Sequence, residues 1–171
     1  MANKSYPKVV KFIPKNLEKY IGDPTEIESR SSWELKLMRF CDTNSAVIKW
    51  SSETIKIPYI STCEVDERGF QKQRMYHMDF FIYYKTNDGN TRKLLVEVKP
   101  YCQTIPPVRR GRKKLETFLN EQKTYQINQD KWKAAEKYAK SMGWGFVIMT
   151  EYQLYPEKAK KGPPKARSPK K

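Results

Sequence analysis

The apolar run Leu94-Leu95-Val96-Glu97-Val98-Lys99-Pro100 carries a carboxylate and an ammonium two residues apart, and Asp79 precedes a second apolar run, Phe80-Phe81-Ile82-Tyr83-Tyr84. Side chains alternate faces along a strand, so Glu97 and Lys99 emerge on one side while Val96 and Val98 point to the other. Two carboxylates and a lysine are the minimum set for metal-assisted phosphodiester hydrolysis. The carboxylates hold a hard cation through oxygen, and the lysine steers or deprotonates a water or offsets charge on the phosphate. The bland alternative is that Glu97 and Lys99 are a solvent-facing pair on a half-buried strand.

Hairpin geometry decides whether Asp79 can join them. A two-residue turn at Asp88-Gly89 pairs Asp79 with Val98 and spoils the site, because a one-residue slip moves a side chain to the opposite face. A three-residue loop Asn87-Asp88-Gly89, with glycine in its left-handed last position, sets Asp79 across from Glu97. The sequence predicts this second register.

The surrounding elements follow from periodicity and punctuation. Ser31-Ser32-Trp33-Glu34 opens a helix whose Trp33, Leu37, Phe40 and Cys41 share a face, ending near Thr43-Asn44. Val47 to Trp50 is extended, Thr54 to Tyr59 is a strand, and a polar loop with Glu64, Asp66, Arg68 and Gly69 leads into a strand from Met75 to Tyr84. The Arg92 to Lys99 strand is followed by a loop, Tyr101 to Arg112. Helices are expected over Lys113 to Tyr125 and Asp130 to Ser141, the latter ended by Gly143, and Gly145 to Thr150 is the last strand. This order gives a single-domain α/β fold with a mixed central sheet flanked by helices.

At 171 residues the chain supports one core. No apolar run reaches membrane-spanning length, and Met1-Ala2-Asn3-Lys4 lacks the apolar core of a secretory signal, so no membrane partner and a cytosolic setting are expected. Cys41, Cys63 and Cys102 are too scattered for a zinc site and read as free thiols. The formal net charge is +15, of which residues 1–20 hold +4 and residues 156–171 hold +6. Two basic arms therefore flank a body at 21–155, and the tail is expected to be disordered. Such arms bind nucleic acid through counterion release, or serve only as solubilising tails.

Wider motifs add to this reading. Pro14-Lys15-Asn16, Gly22-Asp23-Pro24, Arg30-Ser31-x-Trp33-Glu34, Trp50-x-Ser52-Glu53, Ile57-Pro58-Tyr59, Met78-Asp79, Glu97-Val98-Lys99-Pro100, Asn128-x-x-Lys131-Trp132-Lys133-Ala134-Ala135 and Thr150-Glu151 closely resemble the head completion nucleases of T-even-like tailed phages. That group is similar in turn to TnsA-type transposon-end endonucleases of the PD-(D/E)XK class. The resemblance spans roughly residues 12 to 151. It implies a restriction-endonuclease-like fold, with Asp79 and Glu97 as metal-binding carboxylates, the Val98 carbonyl as a further ligand, Lys99 as the catalytic lysine and Glu34 as an additional catalytic and metal-binding carboxylate. Met78 replaces the proline of the signature, which shapes backbone and does no chemistry. The implied activity is Mg2+-dependent hydrolysis of double-stranded DNA, with Mn2+ as an alternative cofactor. The implied step is processing or securing the DNA end after packaging, in the host cytoplasm or on the virion at the head-neck region, with head, portal or neck proteins as partners.

Several residues carry two readings. Glu34 follows Ser31 by three and also completes a capping box. His77 shares the expected Met75 to Tyr84 strand face with Asp79 and can touch phosphate, or is an ordinary polar strand residue. Arg109, Arg110, Arg112, Lys113 and Lys114 follow the catalytic strand and can grip phosphates, or form a charged linker. Lys131 is a weaker phosphate candidate, as are Lys123 and Asn128. Trp132, Tyr138 and Trp144 read as core. Two rival functions are a noncatalytic DNA-binding head or neck protein with the same fold, and a basic RNA-binding protein lacking any clustered site.

Overall fold

The computed structural model describes residues 9–109, 111–155 and 157. Its elements are β1 (Val10–Lys11), β2 (Glu28–Ser29), α1 (Ser32–Thr43), β3 (Val47–Ser52), β4 (Lys56–Val65), β5 (Gln71–His77), β6 (Phe80–Lys85), β7 (Thr91–Val98), α2 (Tyr101–Thr104), α3 (Leu115–Ser141), β8 (Gly145–Met149) and α4 (Glu151–Leu154). The central sheet runs in the order β3-β6-β7-β8. β7 and β8 are parallel and the other pairs antiparallel, which makes the sheet mixed as expected. β4 and β5 form a separate antiparallel ribbon.

The central strands bury both faces, and each face feeds its own core. On one, Leu37, Met38 and Cys41 of α1 pack with Trp50, Phe80, Ile82, Val96 and Val98. On the other, Phe81 and Leu95 meet Ile57, Tyr59 and Tyr76 of the ribbon and Ala135 and Ala139 of α3. Strand alternation therefore delivers Glu97, two residues after Leu95, to the side covered by the ribbon and α3. Of the expected basic arms, residues 1–8 and 158–171 lie outside the described residues, whereas residues 12–16 pack on the body. Phe12 is buried and meets Trp50 edge to face at 5.9 Å, and Asp42 accepts hydrogen bonds from the backbone N–H groups of Lys15 (2.9 Å) and Asn16 (3.0 Å).

Four local expectations are corrected. The stretch from Met75 to Tyr84 is two strands in different sheets, because the chain crosses over at Met78 and Asp79. The Met78 amide donates to the Ile55 carbonyl at 2.9 Å, and the Asp79 carbonyl accepts from Glu53 at 3.2 Å. The two helices expected over 113–141 are one helix of 27 residues. Its middle, Gln126 to Asp130, contains neither proline nor glycine, and Asp130 is anchored by the Thr62 amide (2.8 Å) and hydroxyl (2.9 Å). The loop after β7 opens with the short helix α2 before reaching Pro106-Pro107. The last strand stops at Met149, where Thr150 caps α4. Among the described residues no helix is long and apolar enough to cross a membrane.

Candidate metal-dependent active site

The β6–β7 hairpin fixes the register on which the site depends. The Thr86 amide donates to Asn90 at 2.8 Å, the Gly89 amide donates back to Thr86 at 3.0 Å, and Gly89 holds a left-handed φ of 85°. This is the three-residue loop that Asn87-Asp88-Gly89 predicts. Phe80 consequently pairs with Val96, and one step further along the same register Asp79 stands against Glu97.

The two carboxyl groups and Lys99 then meet. Asp79, half-buried, accepts a hydrogen bond from the Val98 amide through Oδ2 at 2.8 Å, and the Glu97 carboxyl lies close enough for the two charges to act on each other. Glu97 is 1 % exposed. Its Oε1 pairs with Lys99 Nζ at 2.9 Å and its Oε2 accepts from the Tyr76 hydroxyl. Burial, followed by the charge of Glu97, raises the Asp79 pKa well above the usual carboxylate range, against the pull of Lys99 and the Val98 amide. Two like charges this close oppose each other's ionisation. Burial alone lowers the Lys99 pKa, but the charges of Glu97, Asp79 and Glu34 outweigh it and the net shift is upward. Lys99 is a held ammonium.

Glu34 sits at the mouth of a neighbouring cleft of about 880 Å³, lined also by Arg30, Ser31, Trp33, Lys99 and Gln103. Its carboxylate accepts from the Arg30 amide (2.8 Å) and the Ser31 hydroxyl (2.9 Å), while Ser31 accepts from the Glu34 amide at 3.1 Å. Glu34 thus caps α1 and adds its field to Lys99. It does not converge with the central pair: among the described residues no three His, Cys, Asp or Glu side chains form a ready-made metal cluster. Val98 is tied to the site by its N–H, and its side chain lies in the α1 core.

The expected phosphate contacts fare differently. His77 is exposed on β5 opposite Lys56, and because β5 ends at His77 and Asp79 precedes β6 of another sheet, the two do not share a face. Its neighbour Tyr76 points inward to Glu97 instead. Lys131, half-buried on α3, lies over the rings of Tyr76 (5.5 Å) and Tyr59 (6.0 Å). Lys113 is engaged by Glu121 at 2.6 Å, and Lys123 reaches Glu64 at 4.0 Å. Arg109, Arg112 and Lys114 are exposed, Asn128 is buried, and Arg110 lies outside the described residues.

Two residues at the site escape a reading of the sequence by spacing. Tyr76 became findable only by pairing β5 with β4, where it faces Ile57 and so joins the inward set Ile57, Tyr59 and Ser61. Arg30, at the cleft, is paired with Glu53 at 3.2 Å. Glu53 holds a left-handed φ of 55°, and its N–H supports the Asp79 carbonyl, so the backbone strain sits where it serves the pair.

Comparison with known proteins bears on this geometry. Residues 44–151, which include Asp79, Glu97 and Lys99, match the family model described as TnsA-like endonuclease N terminal. The head completion nuclease of Enterobacteria phage T4 is 38 % identical over 144 residues, covering 82 % of this chain and 89 % of that protein.

Proposed function

The chain belongs to the TnsA-like endonuclease family, and from that premise we propose that it is a divalent-metal-dependent deoxyribonuclease. It acts in phage head completion after packaging, processing or securing the DNA end. The observation that carries the reading is the Asp79–Glu97–Lys99 convergence, set by the hairpin register. The relative's name, head completion nuclease, supplies the biological step.

The donor set fits a hard cation. Two crowded carboxyl groups gain from a dication placed between them, and no soft ligand is present in the pair. Asp79 and Glu97 would hold the ion, with the Val98 carbonyl as a further oxygen ligand and Glu34 acting only through its charge on Lys99, and Mg2+ is the metal assigned, Mn2+ its substitute. When bound, such an ion supplies Lewis acidity, easing deprotonation of water and offsetting charge on the phosphate.

The chain's own groups do the rest. Lys99, held charged by its carboxylate neighbours, neutralises the transferring phosphate and is not the base. Arg30 and the exposed Arg109, Arg112 and Lys114 supply phosphate contacts that position double-stranded DNA without reading bases. Lys113 and Lys131 remain in this set only as longer-range charge, His77 only as a polar surface residue, and Arg110 as a further phosphate contact. Docking to head, portal or neck proteins places the site at the DNA end.

Cutting of linear duplex DNA in Mg2+ is the test. Asp79→Ala and Glu97→Ala are expected to lower cleavage by about a thousandfold or more, since Lewis-acid stabilisation is worth several kcal/mol, while DNA binding survives in gel shift. Equal cleavage by wild type and both variants would instead support a noncatalytic DNA-binding head protein.

A further inference from the structure

We propose that Tyr76 is a positioning residue that sets the orientation of the Glu97 carboxylate and thereby the affinity of the site for a divalent cation; the inference rests on the nuclease reading above. Tyr76 is 3 % exposed and belongs to the β4–β5 ribbon, not to the central sheet that carries Glu97. Its hydroxyl donates to Oε2 of Glu97, and Lys99 occupies Oε1 at 2.9 Å. With a donor on each oxygen, the carboxylate plane cannot turn about its last torsion. Each oxygen keeps a second lone pair for a metal.

The phenol is itself held on several sides. Its strand position faces Ile57, its ring lies in the core with Tyr59, Met78 and Ala135, and Lys131 covers it at 5.5 Å. A tyrosine serving only to fill space commonly turns its hydroxyl to water or a backbone carbonyl. Here the hydroxyl is spent on a buried carboxylate that is one of the two proposed metal ligands. Asp79 has corresponding supports, the Val98 amide on its carboxylate and the Glu53 N–H on its carbonyl. Partners that orient a ligating carboxylate typically govern metal affinity or activity by about 10- to 100-fold.

Tyr76→Phe removes the hydroxyl and leaves the ring's volume. The test titrates Mn2+ into metal-free, full-length wild type, Tyr76→Phe and Asp79→Asn by calorimetry, with melting curves in EDTA and kcat and KM on linear duplex DNA at several Mg2+ concentrations. Tyr76→Phe is expected to bind Mn2+ about tenfold more weakly. Its KM for DNA should be unchanged, and its kcat should recover substantially as Mg2+ is raised, which loss of fold alone would not produce. Mn2+ affinity equal to or tighter than wild type overturns the proposal, whatever the melting curve. Where wild type binds Mn2+, Asp79→Asn does not and Tyr76→Phe matches wild type, only the positioning role fails. Where wild type itself binds no Mn2+, the nuclease reading falls and this inference with it.

Discussion

Asp42 and Glu97 are equally hidden from water, each 1 % exposed, and the fold treats them in opposite ways. Asp42 meets the amides of Lys15 and Asn16 on separate oxygens, so its charge is matched by donors and it fastens the stretch between β1 and β2 to α1. Glu97 also has a donor on each oxygen, yet a second carboxyl is pressed against it. Asp130 follows the Asp42 pattern, accepting from Thr62 and from Gln126. A buried carboxylate surrounded by donors is structural. One forced beside its own kind is the one proposed to take a cation, and that contrast in surroundings sets it apart from the scaffold carboxylates.

The comparison can be broken by substitution. Beyond the Asp79 and Glu97 variants, the largest effect is expected at Lys99, the cation paired with the crowded carboxyls: Lys99→Met should lower kcat on linear duplex DNA by about 10²- to 10³-fold, as loss of a preorganised charge at the phosphate does. A loss below tenfold would remove Lys99 from the chemistry. Next, Asp42→Ala strands two backbone donors and should cost about 2–4 kcal/mol in urea unfolding, with specific activity of the remaining folded protein unchanged. Asp79→Asn should do the reverse. Relief of the like-charge contact should stabilise the metal-free protein by about 1 kcal/mol in EDTA, and cleavage should vanish. If Asp79→Asn destabilises as Asp42→Ala does, the two kinds of carboxylate are one. The smallest effect is at Glu34, where Glu34→Gln keeps the cap but removes a charge from Lys99. Its unfolding free energy should move by less than about 1 kcal/mol, and a drop in cleavage larger than tenfold would bring Glu34 into the metal site.

Much of this was readable from local chemistry. Asn87-Asp88-Gly89 specified the turn, and the turn specified that Asp79 meets Glu97. Ser31 and Glu34 announced the start of α1, and Val96 and Val98 alternating with Glu97 and Lys99 announced a strand with two different faces; that both are buried came from the packing of α1, α3 and the ribbon. The rest depended on contacts distant in sequence. The break at Met78 carries no turn residue, and it arises from the Ile55 carbonyl some twenty residues earlier. That hidden break is why His77 looked like the inward residue and Tyr76 did not. The continuity of α3 likewise rests on Asp130 meeting Thr62, 68 positions away, which no local pattern reports.

The Gly89 turn lies at the far end of two strands from Asp79, at about 20 Å by strand rise, and touches nothing in the chemistry. Inheritance of the activity is nevertheless bound to it. The identities of Asn87 and Asp88 are free to drift across lineages, whereas the count of letters between Thr86 and Asn90 can change only in even steps unless a bulge absorbs the odd one. A gene copy that loses a single codon there would encode a protein with every catalytic side chain present and none of its trade.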